Sequence, residues 1–451
     1  MFSYLKNNKE RQLNELIELL KIPSVSTDVN HNDDLVRAAN YLINQLDDLG
    51  FATELRATAG HPIVLANYIV DKSLPTVLIY GHYDVQPVDP ISEWSNPPFE
   101  PTIKDGKIFA RGSSDDKGQI FAHIKAVEAL IKTTDTLPVN VKFLIEGEEE
   151  IGSPNLGPFL IQEKENLACE LVLISDSAMI APDTPTITYG LKGLAYIELE
   201  VIAANRDLHS GAYGGGVPNP INVLAKMIAS LHDENGKITV PGFYDDVIEI
   251  SVQEKAAFEK VPFDEKEFAE EIALKGTPGE AGYTVLERIW ARPTLDVNGI
   301  KGGFQGEGAK TVIASKASAK ISCRLVSNQD PKDITKKLIK HLEDIAPSYV
   351  SIKAIDLHGA KTALSPLDSK AVKLTAKALE KAFGKEVIFA RTGGSIPIVN
   401  NFQEELGVDV VLVGFGLEND GAHSPNEKFE LSNYYSAINA STEILTELAK
   451  F

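Results

Sequence analysis

The sequence predicts an α/β catalytic domain with a mostly parallel sheet, interrupted by an inserted α+β domain. Short apolar runs alternate with helical patterns at both ends of the chain. In the middle, strands instead alternate apolar and polar residues. A length of 451 residues also exceeds what one compact core holds.

The first helix is marked by Leu13, Leu16, Ile17 and Leu20, spaced to share one face, with Pro23 beyond its end. Leu35, Ala39, Leu42, Leu46 and Leu49 form a second stripe, closed by Gly50. Strands are expected over residues 63–69 and 76–80. The latter is apolar throughout, as burial on both faces requires. Ile120, Ile124, Val127 and Ile131 mark a helix between this strand and further strands at 139–145 and 171–174. Residues 387–390 and 408–413 repeat the strand signal near the other end. This alternation implies parallel strands joined by helices.

Residues 195–202 set Ile197, Leu199 and Val201 against Tyr196, Glu198 and Glu200, the pattern of a half-exposed strand. A helix over 221–231, two strands within 312–326, a helix over 334–342 and a strand over 350–355 complete a β-α-β-β-α-β series. Residues 235–305 read as an interruption of it. The expected division is 1–190 and 360–451 for the catalytic domain and 191–359 for the insert.

The net charge of −20 opposes nucleic acid and anionic membrane surfaces as partners. Cys169 and Cys323 form no CxxC pair and no disulfide framework. The start, MFSYLKNNKERQ, is polar, and no run approaches the ~18 apolar residues of a membrane span. These features lead to the expectation of a cytoplasmic, soluble protein.

Chemistry-bearing residues gather at the expected strand ends. His82 and Asp84 follow residue 80. Glu148-Glu149-Glu150 follows residue 145. Asp176 follows residue 174, and His423 lies beyond residue 413. Asp115-Asp116 opens a helix. Open α/β sheets bind ligands beyond the carboxyl ends of their strands, so these groups converge on one edge. Imidazole with carboxylate is a ligand set for zinc or manganese. The surplus of carboxylates suits two ions sharing one. Singly, each position has an ordinary reading: Asp115-Asp116 as the start of a helix, the glutamates as a solvated turn. Their joint placement favours a site. His31, His61, His123, His232, His341 and His358 keep the ordinary reading.

GHYDVQPV, ARGSSDDKGQ, EGEEEIGS, ISDS, RDLHSGAYGG, ISCRLV, GGSIP and DGAHSPNE, in this order, resemble the motifs of the two-metal exopeptidase family. That family contains carnosine dipeptidases, aminoacylase, acetylornithine deacetylase and succinyl-diaminopimelate desuccinylase. RDLHSG, GGSIP and the long insert look closest to the cytosolic non-specific dipeptidase and carnosinase branch. The resemblance implies two divalent ions per subunit, zinc foremost and manganese next. His82 and Asp176 would hold the first, Glu150 and His423 the second, and Asp115, joined to Asp116 by a cis peptide, would bridge both. Asp84 would orient His82, and Glu149 would be the general base; the register from Gly152-Ser153 selects Glu149 and Glu150 over Glu148. His209 would stabilise the oxyanion from the partner subunit of a homodimer formed through the insert, which also serves as a lid. Thr311, Arg324, Gly394 and Ser395 would hold the substrate's C-terminal carboxylate. The implied reaction is dipeptide hydrolysis. An N-acyl amino acid deacylase or desuccinylase on the same scaffold is the alternative, and a non-catalytic binding homologue the second.

Overall fold

Continuous apolar runs become adjacent parallel strands. The structure, a computed structural model, describes every residue except Ser395, and every side chain except also those of Phe2, Gln253 and Pro397. It divides into two units. One comprises Met1–Tyr189, Ser365–Ala390 and Pro397–Phe451, and the other Gly190–Leu364 with Arg391–Ile396.

In the first unit, Thr76–His82 lies between Asn140–Glu146 and Leu171–Ile174, and Asp409–Val413 pairs with the far side of Leu171–Ile174. All three of these pairings are parallel. Outside them the sheet turns antiparallel: Ile63–Tyr68 joins Asn140–Glu146, Ala52–Arg56 joins Ile63–Tyr68, and Thr186–Leu191 joins Asp409–Val413. The sheet is therefore mixed, with the parallel part at its centre. Nearly every residue of the central strands is buried, which is why they read as unbroken apolar runs. The helices Phe2–Leu20, Asn32–Asp47, Lys117–Thr134, Lys370–Phe383 and Leu431–Leu448 contribute to the same core. Lys117 Nζ donates to the Ile22 carbonyl at 2.6 Å, tying the start of its helix to the chain just past the first one.

The second unit holds a four-stranded antiparallel sheet in the order Thr294–Gly302, Lys316–Leu325, Gly193–Ile202, Ser351–Ala360. Ala195, Ile197, Leu199 and Val201 point into a core shared with the helices Pro220–Ala229 and Pro331–Ile345. One expectation is corrected. Residues 312–326 supply one strand of this sheet, and its neighbour Thr294–Gly302 falls in the segment read as an interruption. Val312–Ile313 pairs instead with Leu208–His209. Thr294–Gly302 is an edge strand, bulged near Val297 and Gly299, with Leu295 its one buried residue. An edge strand with so little burial prints no clear alternation. Among the described residues, no helix is long and apolar enough to cross a membrane.

Glu146 ends its strand directly opposite His82 and is buried. Its Oε1 accepts hydrogen bonds from the Tyr80 hydroxyl at 2.6 Å and the Ser153 hydroxyl at 2.8 Å. Burial raises its pKa from 4.5 to about 7; the Tyr80 bond opposes that rise and the Asp84 charge adds to it. The folded chain thus binds more protons than the unfolded chain between those values, so this group's contribution to stability falls as pH rises through that window. Glu146→Gln stays neutral and keeps an acceptor for both hydroxyls. It should stabilise the protein at pH 8 by about 1–3 kcal/mol and leave it unchanged near pH 4.5. Urea unfolding at both pH values checks this; a loss of stability at pH 8 would overturn it.

Candidate metal centre

The parallel strands deliver their last residues to one edge, and the loops beyond it hold the candidate ligands. His82 is the final residue of its strand and fully buried. Its Nε2 lies 3.1 Å from Asp115 Oδ1 and 4.0 Å from Asp176 Oδ2. His423, in a left-handed conformation at φ 61°, places Nε2 3.0 Å from Asp115 Oδ2 and 3.3 Å from Glu150 Oε2. The Asp115 carboxylate therefore stands between two imidazoles, with one oxygen toward each. The Asp115–Asp116 peptide is cis. Glu149 completes the group: it, His82 and Asp176 offer atoms within 4.8 Å of one another, as do His82, Asp115 and Glu150.

Asp84 organises the side of the cluster away from these nitrogens. It is fully buried. Its Oδ1 accepts the Glu149 N–H at 3.2 Å and its Oδ2 the Glu150 N–H at 3.1 Å. Oδ1 also lies 3.4 Å from His82 Nδ1, and the Asp84 carbonyl lies 3.1 Å from the same nitrogen. A proton on Nδ1 leaves Nε2 free as a ligand. Glu148 turns away, accepting the His61 N–H at 3.0 Å and the Asn155 amide at 2.7 Å.

Four carboxylates, Asp115, Glu149, Glu150 and Asp176, share the two imidazoles of His82 and His423. Burial, with the charges of Asp115 and Glu150, pushes Asp176 up to about 7. Burial and the Asp176 charge push Glu149 well above the usual carboxylate range. Burial also works to raise Asp115, but bonds from His423 and His82 outweigh it and hold Asp115 low. Bonds to Asp115 and Glu150 raise His423 to about 10. For His82, burial pulls downward, yet the bonds to Asp115 and Asp84 prevail and raise it. This concentration of negative charge on oxygen and nitrogen donors fits divalent cations.

The sequence-predicted residues His82, Asp84, Asp115, Glu149, Glu150, Asp176 and His423 thus meet in the first unit. His209, Thr311, Arg324 and Gly394 lie in the second. There, His209 is exposed and its Nδ1 accepts the Gly211 N–H at 3.0 Å. Thr311 is exposed, and its carbonyl accepts the Ser210 N–H at 3.0 Å. Arg324 is half-buried on its strand, opposite Leu194 and Thr294. The Gly394 carbonyl accepts the Lys192 N–H at 3.1 Å. Ser395 lies outside the described residues. Sequence reasoning missed two participants. Gln86 Nε2 donates to Glu150 Oε2 at 2.8 Å. Glu427 turns a buried carboxylate toward residues 111–115. Both sit inside motifs already singled out, GHYDVQPV and DGAHSPNE, and that position is the signal that could have found them.

The model of Peptidase family M20/M25/M40 matches residues 78–447. A curated relative, the Cys-Gly metallodipeptidase dug1 of Schizosaccharomyces pombe, is 33% identical over 100% of this chain and 98% of its own. The Beta-Ala-His dipeptidase of Homo sapiens is 34% identical over 86% of this chain and 78% of its own. Among solved structures, human carnosine dipeptidase 1 superposes with a TM-score of 0.86 at 32% identity, covering 100% of this chain and 98% of that one. An M20 family metallo-carboxypeptidase, Sso-CP2 from Sulfolobus solfataricus, gives 0.85 at 37% identity, covering 98% and 99%.

Asp84→Ala strips the acceptor from two backbone N–H groups and from the Nδ1 side of His82. It should weaken Zn²⁺ binding by about 10–100-fold. The metal-free protein should lose about 1–3 kcal/mol. Chelator competition and urea unfolding read the two effects; wild-type Zn²⁺ affinity would show that the Asp84 carboxylate does not orient the ligands.

Proposed function

Because the chain belongs to peptidase family M20/M25/M40, we propose that it is a metal-dependent dipeptidase using two divalent ions. His82, Asp115 and Asp176 would hold one ion, and Asp115, Glu150 and His423 the other. The observation that carries this reading is the Asp115 carboxylate between His82 and His423, one oxygen toward each. When bound, such ions acidify water and polarise the scissile carbonyl.

The chain's own groups do the rest. Glu149 takes the proton of the attacking water and passes it to the leaving amine. Arg324, with Thr311, Gly394 and Ser395, binds the substrate's C-terminal carboxylate, which a planar guanidinium can grip by both oxygens. His209 of a partner subunit donates to the developing oxyanion. The insert, residues 191–359, serves as lid and carries the homodimer contact, and the enzyme works in the cytoplasm. Zinc is the ion of choice and manganese the second, since imidazole and carboxylate suit both.

The names of the dipeptidase relatives support dipeptides as substrates. The metallo-carboxypeptidase relative supports a second reading, removal of the C-terminal residue from longer peptides. The deciding assay offers dipeptides, tripeptides, N-acetyl and N-succinyl amino acids, with chelator, Zn²⁺ or Mn²⁺. Dipeptides should be cleaved fastest, chelator should abolish the activity, and one of the two metals should restore it. Faster cleavage of tripeptides or N-acyl amino acids would transfer the assignment to carboxypeptidase or deacylase. Full activity in metal-free protein would end the mechanism, and no turnover with two ions bound would make the chain a binding homologue.

Glu149→Gln should retain metal and fold while kcat falls by at least ~10²-fold. Glu150→Gln should instead weaken metal binding. Metal analysis beside steady-state kinetics separates the two, and the reverse pattern would exchange their roles.

A further inference from the structure

Glu427 closes the segment that carries His423, and its side chain is fully buried. Its Oε2 accepts from Arg111 Nη1 at 2.9 Å and from the Gly112 N–H at 2.8 Å. Its Oε1 accepts the Ser114 N–H at 2.9 Å and the Asp115 N–H at 3.1 Å. Both oxygens are thus committed to the loop that ends at Asp115. Arg111, also buried, sends Nη2 to the Pro87 carbonyl at 3.0 Å, and its guanidinium lies 5.3 Å from the Trp94 ring centre.

One carboxylate therefore gathers three segments: residues 82–87 through Arg111, residues 111–115 through backbone N–H groups, and its own residues 423–427. These three carry His82, Asp115 and His423. Ser114 is held from further sides as well. Its hydroxyl donates to Asp420 Oδ2 at 3.2 Å, and its carbonyl accepts the Gln119 amide at 2.9 Å. A buried ion pair on its own adds little net stability, because desolvation offsets the attraction. What the Glu427 bonds add is position. An apolar pair of the same volume would fill the space, but it could not fix the N–H groups of Ser114 and Asp115.

We infer that Glu427 is a positioning residue of the metal centre. It sets the backbone of Asp115 so that the carboxylate reaches both imidazoles, and it holds the His82 and His423 segments to the same frame. This deepens the two-metal reading and rests on it.

Glu427→Gln keeps the shape but turns an NH₂ group toward one of the two donor pairs, removing an acceptor. Metal-free wild-type and variant proteins, both shown to be folded by circular dichroism, are titrated with Zn²⁺ alone against a chromogenic chelator. Wild type should bind two ions per chain, and the variant should bind them at least ~10-fold more weakly. At saturating Zn²⁺ the variant's KM for a dipeptide should stay at the wild-type value, since Glu427 is not placed to touch substrate. Wild-type Zn²⁺ affinity in folded Glu427→Gln would overturn the inference. Should that variant fail to fold, Arg111→Lys decides. It keeps the charge beside Glu427 but replaces the planar fork, whose two nitrogens reach Glu427 and Pro87 separately, with a single nitrogen, so weakened Zn²⁺ binding supports the role and unchanged binding overturns it. A wild type that binds no Zn²⁺ would instead refute the two-metal reading, which keeps the two failures distinct.

Discussion

The carboxylate of Asp115, suspended between His82 and His423, is the contact on which the rest of the first unit's architecture converges. It can stand there only if two residues on distant stretches of chain arrive with nitrogens facing each other. The parallel strands provide the first half of that condition by ending at a common edge. The tight turn at Gly421 and His423, both at positive φ, provides the second half. A left-handed residue other than glycine carries some backbone strain, and such strain persists where surrounding contacts over-determine the conformation. Here those contacts are the His423 bonds to Asp115 and Glu150.

Charge explains why the cluster suits cations. Burying several carboxylates costs free energy unless they are paired or protonated. His82 and His423 balance only part of the charge, and the remainder appears as the raised pKa values of Glu149 and Asp176. The arrangement is poor as a scaffold for stability and good as a receptor for positive charge. Outside the cluster, buried carboxylates carry local partners: Glu427 is met by Arg111 and by backbone N–H groups, and Glu146 by two hydroxyls, although burial still raises both.

Much of this was legible in the sequence because burial on both faces leaves an unmistakable print. The runs at residues 77–80, 171–174 and 410–413 are apolar throughout, and the structure makes them parts of neighbouring parallel strands. The residues just past them then had to share an edge. Thr294–Gly302 stayed hidden because an exposed, bulged edge strand needs no apolar alternation. The backbone contacts of Asp84 and Glu427 were hidden for another reason. Asp84 accepts backbone N–H groups 65 and 66 residues away, and Glu427 accepts them 312 to 315 residues away. Hydrogen bonds between a side chain and a remote backbone impose no periodicity and no local spacing.

The three consecutive glutamates show how such anchoring resolves what spacing alone only suggests. Glu148, Glu149 and Glu150 are chemically identical, and a slip of one residue would exchange their positions. Strand pairing that sets His82 opposite Glu146 fixes the register, and Asp84 then takes the N–H groups of Glu149 and Glu150 on its two oxygens. Glu148 is fixed from the opposite side, its carboxylate spent on the His61 N–H and the Asn155 amide. The Glu148 carbonyl then accepts the Ile151 and Ser153 N–H groups, closing the turn. A single buried aspartate thus faces His82 at Nδ1 and pins the backbone of the two glutamates that enter the cluster. Strand ends bring the segments together, and buried acceptors such as Asp84 determine which atoms meet.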